Sequence, residues 1–143
     1  MSASIFSEFA NEFLKLSGVL GSDKSFVKGL TPKQVHILME VGQNTFRHGD
    51  LASNLGVDPS TLTRTLDPLD KAGYIDRQMN PENRREVLIR LSEHGLSVLQ
   101  EVNQKMNELY TLILAQVPDG KVEQVESSIS ILLNIIKQMD FKH

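Results

Sequence analysis

Residues 51–75 constrain the fold of this chain more than any other feature of its sequence, and they read LASNLGVDPSTLTRTLDPLDKAGYI. Gly56 tolerates the left-handed conformation that ends many helices, and Asp58 and Pro59 then supply an N-cap and a first helical residue. The leucines that follow recur at helical spacing and share one face: Leu62, Leu66 and Leu69. The segment therefore predicts two helices joined by a tight turn, with the leucines packed against the first helix.

The opposite face of the second helix carries small hydroxyl side chains and one arginine: Ser60, Thr61, Thr63 and Arg64. Hydroxyl groups bond base edges or phosphates, a threonine methyl can contact the thymine methyl, and arginine binds guanine O6 and N7 in bidentate fashion. The second helix of a helix-turn-helix enters the major groove of DNA. This face therefore favours DNA binding, but a solvated helix surface is an equal alternative on these residues alone.

Two short segments rich in branched and aromatic residues follow and predict an antiparallel hairpin. They read YIDRQM and EVLIRL, and the polar, basic stretch NPENRR joins them. Alternation places Ile75 and Met79 on one side of the first strand, facing the helices. Arg84 and Arg85, preceded by Asn83, lie in the joining stretch, where they can enter a narrow minor groove or follow the phosphates. A solvated turn is the alternative.

Apolar stripes at both ends of the chain exceed what one small helix-turn-helix core needs. The first stripe consists of Phe6, Phe9, Phe13, Leu16 and Leu20. A long helix begins after the cap Ser92, and a final helix after Pro118 carries Val122, Val125, Ile129, Leu132, Ile136 and Met139. These stripes predict subunit assembly, with packing of the helices within one chain as the alternative.

Composition excludes several classes of protein. The chain has no cysteine, so disulfides, thiolate metal sites and cysteine nucleophiles are absent. No apolar run approaches the roughly 18 residues of a membrane span, and the N-terminus lacks a secretory signal, so we expect a cytoplasmic protein with no membrane partner. The net charge is −3, but residues 46–90 hold seven Lys or Arg against seven Asp or Glu, which makes that segment neutral with locally clustered arginines.

Enzymatic function finds little support. The sequence contains no G-x-S-x-G, no P-loop and no G-x-G-x-x-G motif. His36 and Glu40 lie four residues apart on one predicted helix face, but no further ligand shows matching spacing, so we predict no metal and no cofactor. A winged-helix module that pairs only with protein is a third reading, which the hydroxyl face and the paired arginines disfavour.

The order of elements, with LASNLGVDPSTLTRTLDPLDKAGYI followed by NPENRREVLIRLSEHG, resembles the MarR family (multiple antibiotic resistance regulators) of winged helix-turn-helix transcription factors. The resemblance implies a mainly α-helical fold with a small two-stranded antiparallel wing, flanked by N- and C-terminal dimerisation helices. It also implies a single domain over residues 1–143, with a DNA-binding lobe at 31–91 and a helical dimerisation lobe at 1–22 and 92–143.

The resemblance further implies a sequence-specific regulator of transcription, a repressor that binds a pseudo-palindromic operator in double-stranded DNA as a homodimer and is released by a small-molecule effector. By position, the groove-facing role falls to Ser60, Thr61, Thr63 and Arg64, and the wing role to Asn83, Arg84 and Arg85. Sequence alone does not assign the effector site. The aromatic and imidazole candidates, each equally consistent with ordinary packing, are Phe13, Phe26, His36 and Phe46.

Two features depart from the family pattern. Family wings commonly carry an aspartate immediately before the paired arginines, where it holds the second arginine in a salt bridge, whereas this chain has Asn83. Since an amide supplies no charge, we expect Arg85 to be less rigidly aimed. Pro68 lies inside the predicted recognition helix and removes the hydrogen bond to the carbonyl of Arg64, which predicts a bend.

Overall fold

The computed structural model describes residues 2–16 and 29–139. The helices in these ranges are α1 (Ala3–Leu16), α2 (Pro32–Val41), α3 (His48–Leu55), α4 (Pro59–Lys71), α5 (Glu93–Leu114) and α6 (Val122–Gln138). The strands are β1 (Phe46–Arg47), β2 (Ile75–Asn80) and β3 (Asn83–Leu91). The predicted fold, mainly helical with a small antiparallel sheet after a helix-turn-helix, is confirmed.

The sheet has three strands in the order β1-β3-β2, so the prediction of a two-stranded wing was incomplete. Strand β1 pairs antiparallel with β3, with Phe46 opposite Ile89 and Arg47 opposite Leu88. A strand of two residues has no alternation long enough to recognise, because the side-chain pattern needs several residues to repeat. The extra strand joins the start of α3 to the base of the hairpin.

The core lies between α2, α3, α4, the sheet and the first half of α5. The predicted leucine face of α4 is fully buried: Leu62 is 1% exposed, and Leu66 and Leu69 are 0% exposed. Each buried leucine contributes about 2 kcal/mol relative to an exposed one. The placement of Met79 against the helices was wrong, because that part of the hairpin extends beyond the core and leaves Met79 60% exposed.

Most of the predicted helix ends are confirmed. The side chain of Thr31 accepts from the backbone N–H of Gln34 and the side chain of Gln34 accepts from that of Thr31, which closes a capping box. Gly56 ends α3 in the left-handed conformation, at φ 67°. Asp58 occupies the N-cap of α4, but its side chain makes no capping hydrogen bond. Helix α4 continues through Pro68 to Lys71, and the bend at Pro68 stays a prediction.

A close backbone contact joins the end of α4 to the start of α5. The N–H of Tyr74 donates to the carbonyl of Leu69, and the carbonyl of Tyr74 accepts from the N–H of Ser92 at 3.0 Å. The Ser92 side chain caps α5 by accepting from the N–H of Gly95 at 3.0 Å. A Cβ at Gly95 would fall well inside the contact distance of the Tyr74 carbonyl oxygen. Only glycine fits this position without moving the backbone.

Helices α1 and α6 contribute no buried residue to this core. Val125 and Leu132 of the predicted α6 stripe are half-buried. Most other apolar side chains of α1, α6, the second half of α5 and the residue after α6 are exposed: Phe6, Phe9, Phe13, Leu16, Leu112, Ile113, Val122, Ile129, Ile131, Ile135, Ile136 and Met139. Helix α1 lies beside α5, since the rings of Phe13 and Tyr110 stack with centroids 6.2 Å apart. The predicted stripes therefore leave a large apolar surface on the single chain.

Candidate nucleic-acid interface

The outward face of α4 carries the hydroxyls and the arginine that the sequence predicts there. Ser60, Thr63 and Arg64 are exposed, and Thr61 is half-buried. A guanidinium nitrogen of Arg64 lies 3.5 Å from Oγ1 of Thr61, at the long limit of a hydrogen bond. Since this weak contact is its only polar bond to the described residues, Arg64 can extend from the helix toward a partner.

Thr63 makes two hydrogen bonds inside the protein. Its hydroxyl donates to the carbonyl oxygen of Pro59 at 3.0 Å, a bond that serine and threonine often make one turn back in a helix. Its oxygen also lies 3.1 Å from Nε2 of His48 at the start of α3. The tautomer that satisfies both contacts, with the hydroxyl proton directed at Pro59, carries a proton on Nε2, which then donates to Thr63.

The environment of His48 favours its neutral form. Burial lowers the pKa of His48 below its ordinary value, and the positive charge of Arg77 acts in the same direction. With the proton on Nε2 used toward Thr63, Nδ1 is the nitrogen that gains a proton when the ring titrates. Sequence reasoning missed this contact, because the two residues lie 15 positions apart on different helices.

A tight turn at residues 81–82 joins the two long strands of the hairpin. Met79 pairs with Val87, but Asn80 pairs with Asn83. Residues 84–86 lie between these two pairs and have no strand-pairing partner on β2, which makes a bulge of the kind that redirects side chains. Arg84 and Arg85 therefore lie in this bulge on β3, rather than in the turn itself as the sequence suggested.

Side-chain amides hold the hairpin end. Oδ1 of Asn83 accepts from the N–H of Arg85 at 3.2 Å, and Oδ1 of Asn80 accepts from the N–H of Glu82 at 3.1 Å. Asn83 thus fixes the backbone of Arg85 and leaves its guanidinium without an ion pair among the described residues. The expectation that the Arg85 side chain is held less rigidly stays a prediction.

Arg77 fastens the hairpin to α4. Its Nε and Nη2 lie 3.0 Å and 2.7 Å from Oδ2 of Asp70, and its Nη2 lies 2.8 Å from Oδ1 of Asp67. The hydrogen bond to Asp70 is the main cause that raises the pKa of Arg77 above its ordinary value. One guanidinium on β2 therefore clamps two carboxylates of α4, a long-range contact that the sequence did not reveal.

Other ion pairs neutralise most of the remaining charge near the sheet. Arg47 on β1 pairs with Glu86 at 3.4 Å, and Arg90 pairs with Asp76 at 3.6 Å. Among residues 2–16 and 29–139, the arginines that form no ion pair are Arg64, Arg84 and Arg85. All three are exposed. Residues 46–90 carry no net charge, yet the arginines that form no ion pair lie on α4 and in the bulge.

A groove of about 400 Å³ lies between α4, the start of α3 and the hairpin. Thr63 borders it from α4 and Arg85 from the hairpin. The other lining residues include Arg47, His48 and the acidic Asp50 and Glu86. The two predicted motifs therefore border one continuous surface. Sequence reasoning had not included Arg47 and His48 in it.

The effector candidates within the described residues lie in different parts of the fold. Phe13 borders a groove of about 470 Å³ with Phe9 and Ile113, between α1 and α5. His36 is exposed on α2, and Phe46 packs against the core. Phe26 lies outside the described residues. All four stay predictions.

Two kinds of feature are absent from the described residues. No cluster of three or more His, Asp or Glu side chains within residues 2–16 and 29–139 is arranged to hold a metal ion. None of the helices in that part of the chain combines the length and apolar character needed to cross a membrane.

Comparison with known proteins finds a partial match to one family. Residues 30–87 match the family model described as MarR family. A Bacillus subtilis (strain 168) protein described as an uncharacterized HTH-type transcriptional regulator, YfiV, is 29% identical over 91 residues. That match covers 62% of this chain and 57% of the relative, so the chain spans little more than half of the relative's length.

Solved structures share the fold over nearly the whole chain. Wild-type MarR from E. coli in its apo form superposes with a TM-score of 0.72 at 22% identity, covering 93% of this chain and 97% of that one. Streptococcus pneumoniae FabT in complex with DNA superposes with a TM-score of 0.74 at 19% identity, covering 96% and 95%. At these identities the likeness establishes the winged-helix fold.

Proposed function

We propose that this chain is a transcriptional regulator of the MarR family rather than an enzyme, and that it binds double-stranded DNA in a sequence-specific manner. The match of residues 30–87 to the family model and the likeness to an HTH-type transcriptional regulator support this proposal. In this proposal α4 enters the major groove and the hairpin lies along the adjacent phosphates or minor groove. The groove-facing residues are Ser60, Thr61, Thr63 and Arg64, and the wing residues are Asn83, Arg84 and Arg85.

The observation that carries this proposal is the shared surface of α4 and the hairpin. Thr63 and Arg85 border one groove, and the exposed Arg64, Arg84 and Arg85 form no ion pair within the described ranges. Unpaired guanidinium groups suit phosphates and guanine edges, because both accept hydrogen bonds and carry negative charge or potential. The positive end of the α4 dipole adds to this attraction at its N-terminus.

We propose that the protein acts as a homodimer. The exposed apolar side chains lie on α1 and α6, which contribute no buried residue to the core, and on the second half of α5. A large exposed apolar surface favours association. The proposed lobes are residues 31–91 for DNA and residues 1–22 and 92–143 for dimerisation. A two-fold dimer would present two α4 helices to a pseudo-palindromic operator with half-sites about 34 Å apart.

We further propose repression in the cytoplasm, by occupation of a promoter. A small-molecule effector would bind between the dimerisation helices and the DNA lobe and act by different affinities for two spacings of the α4 helices. Phe13, Phe26, His36 and Phe46 are the candidate lining residues. Equal effector affinity with and without operator would contradict this part of the proposal.

Selection from a library of random duplexes at near-physiological salt tests the DNA-binding proposal. The purified protein should enrich an inverted repeat with half-sites one helical turn apart. Recovery of no motif, with only weak salt-sensitive binding, would contradict sequence-specific recognition and direct attention to a protein partner.

A further inference from the structure

Thr63 has hydrogen-bond partners inside the protein that restrict what it can offer to DNA. We infer that Thr63 reads sequence through its methyl group, against the C5 methyl of a thymine, while His48 acts as a positioning residue that fixes its orientation. This inference rests on the proposed DNA binding and adds which group of the side chain does the reading.

The hydroxyl of Thr63 is already used. It donates its only proton to the Pro59 carbonyl at 3.0 Å, and one lone pair accepts from Nε2 of His48 at 3.1 Å. The acceptors at the major-groove edge, such as guanine O6 and N7 or thymine O4, need a donor. Thr63 has none to give unless the bond to Pro59 breaks. The methyl group is the part of the side chain that takes no part in a hydrogen bond.

The other hydroxyls of α4 differ from Thr63. No group within residues 2–16 and 29–139 bonds the hydroxyl of Ser60, which stays able to donate to a phosphate or base. Thr65 donates to the carbonyl of Thr61 at 2.9 Å and is half-buried. Thr63 is therefore the exposed hydroxyl of α4 whose proton and one of whose two lone pairs are already used inside the protein, and Ser60 provides a natural control.

His48 ties this side chain to a different helix. It stands at the first position of α3, and its bond to Thr63 limits rotation about the threonine Cα–Cβ bond. Nε2 carries a proton in both the neutral ring and the imidazolium, so the bond persists when His48 titrates. The contact orients Thr63 without itself touching a base.

Deoxyuridine, which lacks the C5 methyl of thymidine, supplies the probe. Each thymine in one half-site of the selected operator is replaced singly by deoxyuridine, and the Kd is measured for each duplex by fluorescence anisotropy. For the wild-type protein we expect one position at which the replacement weakens binding about fourfold, the size of one buried methyl group.

Variants of Thr63 separate the methyl from the hydroxyl. Thr63→Val keeps a methyl in place and should retain sensitivity to deoxyuridine at that position. Thr63→Ser keeps the hydroxyl, loses the methyl and should bind both duplexes equally. Ser60→Ala should keep the wild-type difference. Circular dichroism of each variant establishes that the fold is intact.

Variants of His48 test the positioning role. His48→Gln preserves a side-chain N–H donor and should keep the difference between thymidine and deoxyuridine. His48→Ala removes the donor and should reduce the difference in Kd between the thymidine and deoxyuridine duplexes. If His48 only supported the fold, its loss would not affect a single base pair alone.

The outcomes distinguish this inference from the proposed function. If the Thr63→Val variant loses the sensitivity to deoxyuridine, or if no thymine in the half-site shows any, the methyl reading is overturned while sequence-specific binding stands. If the selection yields no operator, both are overturned.

Discussion

Replacing Arg77 with methionine should separate the hairpin from α4 without emptying the space that its aliphatic stem occupies. The guanidinium makes contacts of 2.7–3.0 Å with Asp70 and Asp67. The Arg77 side chain is 25% exposed and its partners are 40% and 46% exposed. Exposed pairs contribute about 0.2–1 kcal/mol each, and hydrogen bonds to charged groups about 1.5–3 kcal/mol. For this half-exposed clamp we expect a loss of about 1–2 kcal/mol.

Urea unfolding followed by circular dichroism measures that loss, at one fixed protein concentration because a dimer unfolds in a concentration-dependent way. Arg90→Met is the matched control, since Arg90 makes a single ion pair with Asp76 at 3.6 Å and both side chains are about half exposed. It should cost about 0.5 kcal/mol or less. A cycle that combines Arg77→Met with Asp70→Asn isolates the energy of the pair.

The same variant should also weaken DNA binding, because the bulge arginines would no longer be held at a fixed angle to α4. Equal stability and equal affinity of the Arg77→Met and Arg90→Met proteins would refute the reasoning that Arg77 clamps the hairpin. A loss of stability with unchanged affinity would show that the clamp supports the fold but does not aim the wing.

Five further substitutions have expected outcomes. Gly95→Ala should lower the free energy of unfolding in urea by about 1–3 kcal/mol, because its Cβ meets backbone. Gly49→Ala, in open space on α3, should raise it by about 0.5 kcal/mol. Equal effects would contradict the close approach of Gly95 to the Tyr74 carbonyl. Arg64→Ala should weaken specific binding by about 1–3 kcal/mol and relax preference at one base pair, and equal losses on specific and random duplexes would limit Arg64 to phosphate. Arg85→Ala should lower affinity evenly across sequences, and a loss confined to the operator would contradict a phosphate role. The pKa of His48 is lower in the folded than in the unfolded state, so its stabilising contribution is complete above about pH 6.5 and is lost as the pH falls through the folded value. In His48→Gln the urea midpoint should therefore fall less between pH 7.5 and pH 5.5 than in the wild-type protein. A fall equal to that of the wild-type protein would contradict the assignment.

Local signals in the sequence predicted much of the architecture. Glycine at position 56, the capping box at Thr31 and the leucines of α4 each depend on residues within one or two turns of each other, and the structure confirms them. These features are decided by backbone conformation and by spacing along one helix. They could therefore be identified without knowing which elements meet.

Contacts between distant elements could not be predicted in the same way. The two residues of β1 become a strand only because β3 is present beside them. The hydrogen bond between His48 and Thr63, and the clamp from Arg77, require the packed arrangement of α3, α4 and β2. The bulge at residues 84–86 depends on the register of the hairpin. In each case the deciding partner is specified by tertiary structure.

The affinity of the protein for its selected operator and for a scrambled duplex of the same composition, measured over a range of salt concentrations, tests whether α4 and the hairpin read DNA sequence. We expect both affinities to fall with salt, as phosphate contacts require, and the operator to bind at least about 1,000-fold more tightly at physiological salt. Equal affinities for the two duplexes at every salt concentration would contradict sequence reading by this surface.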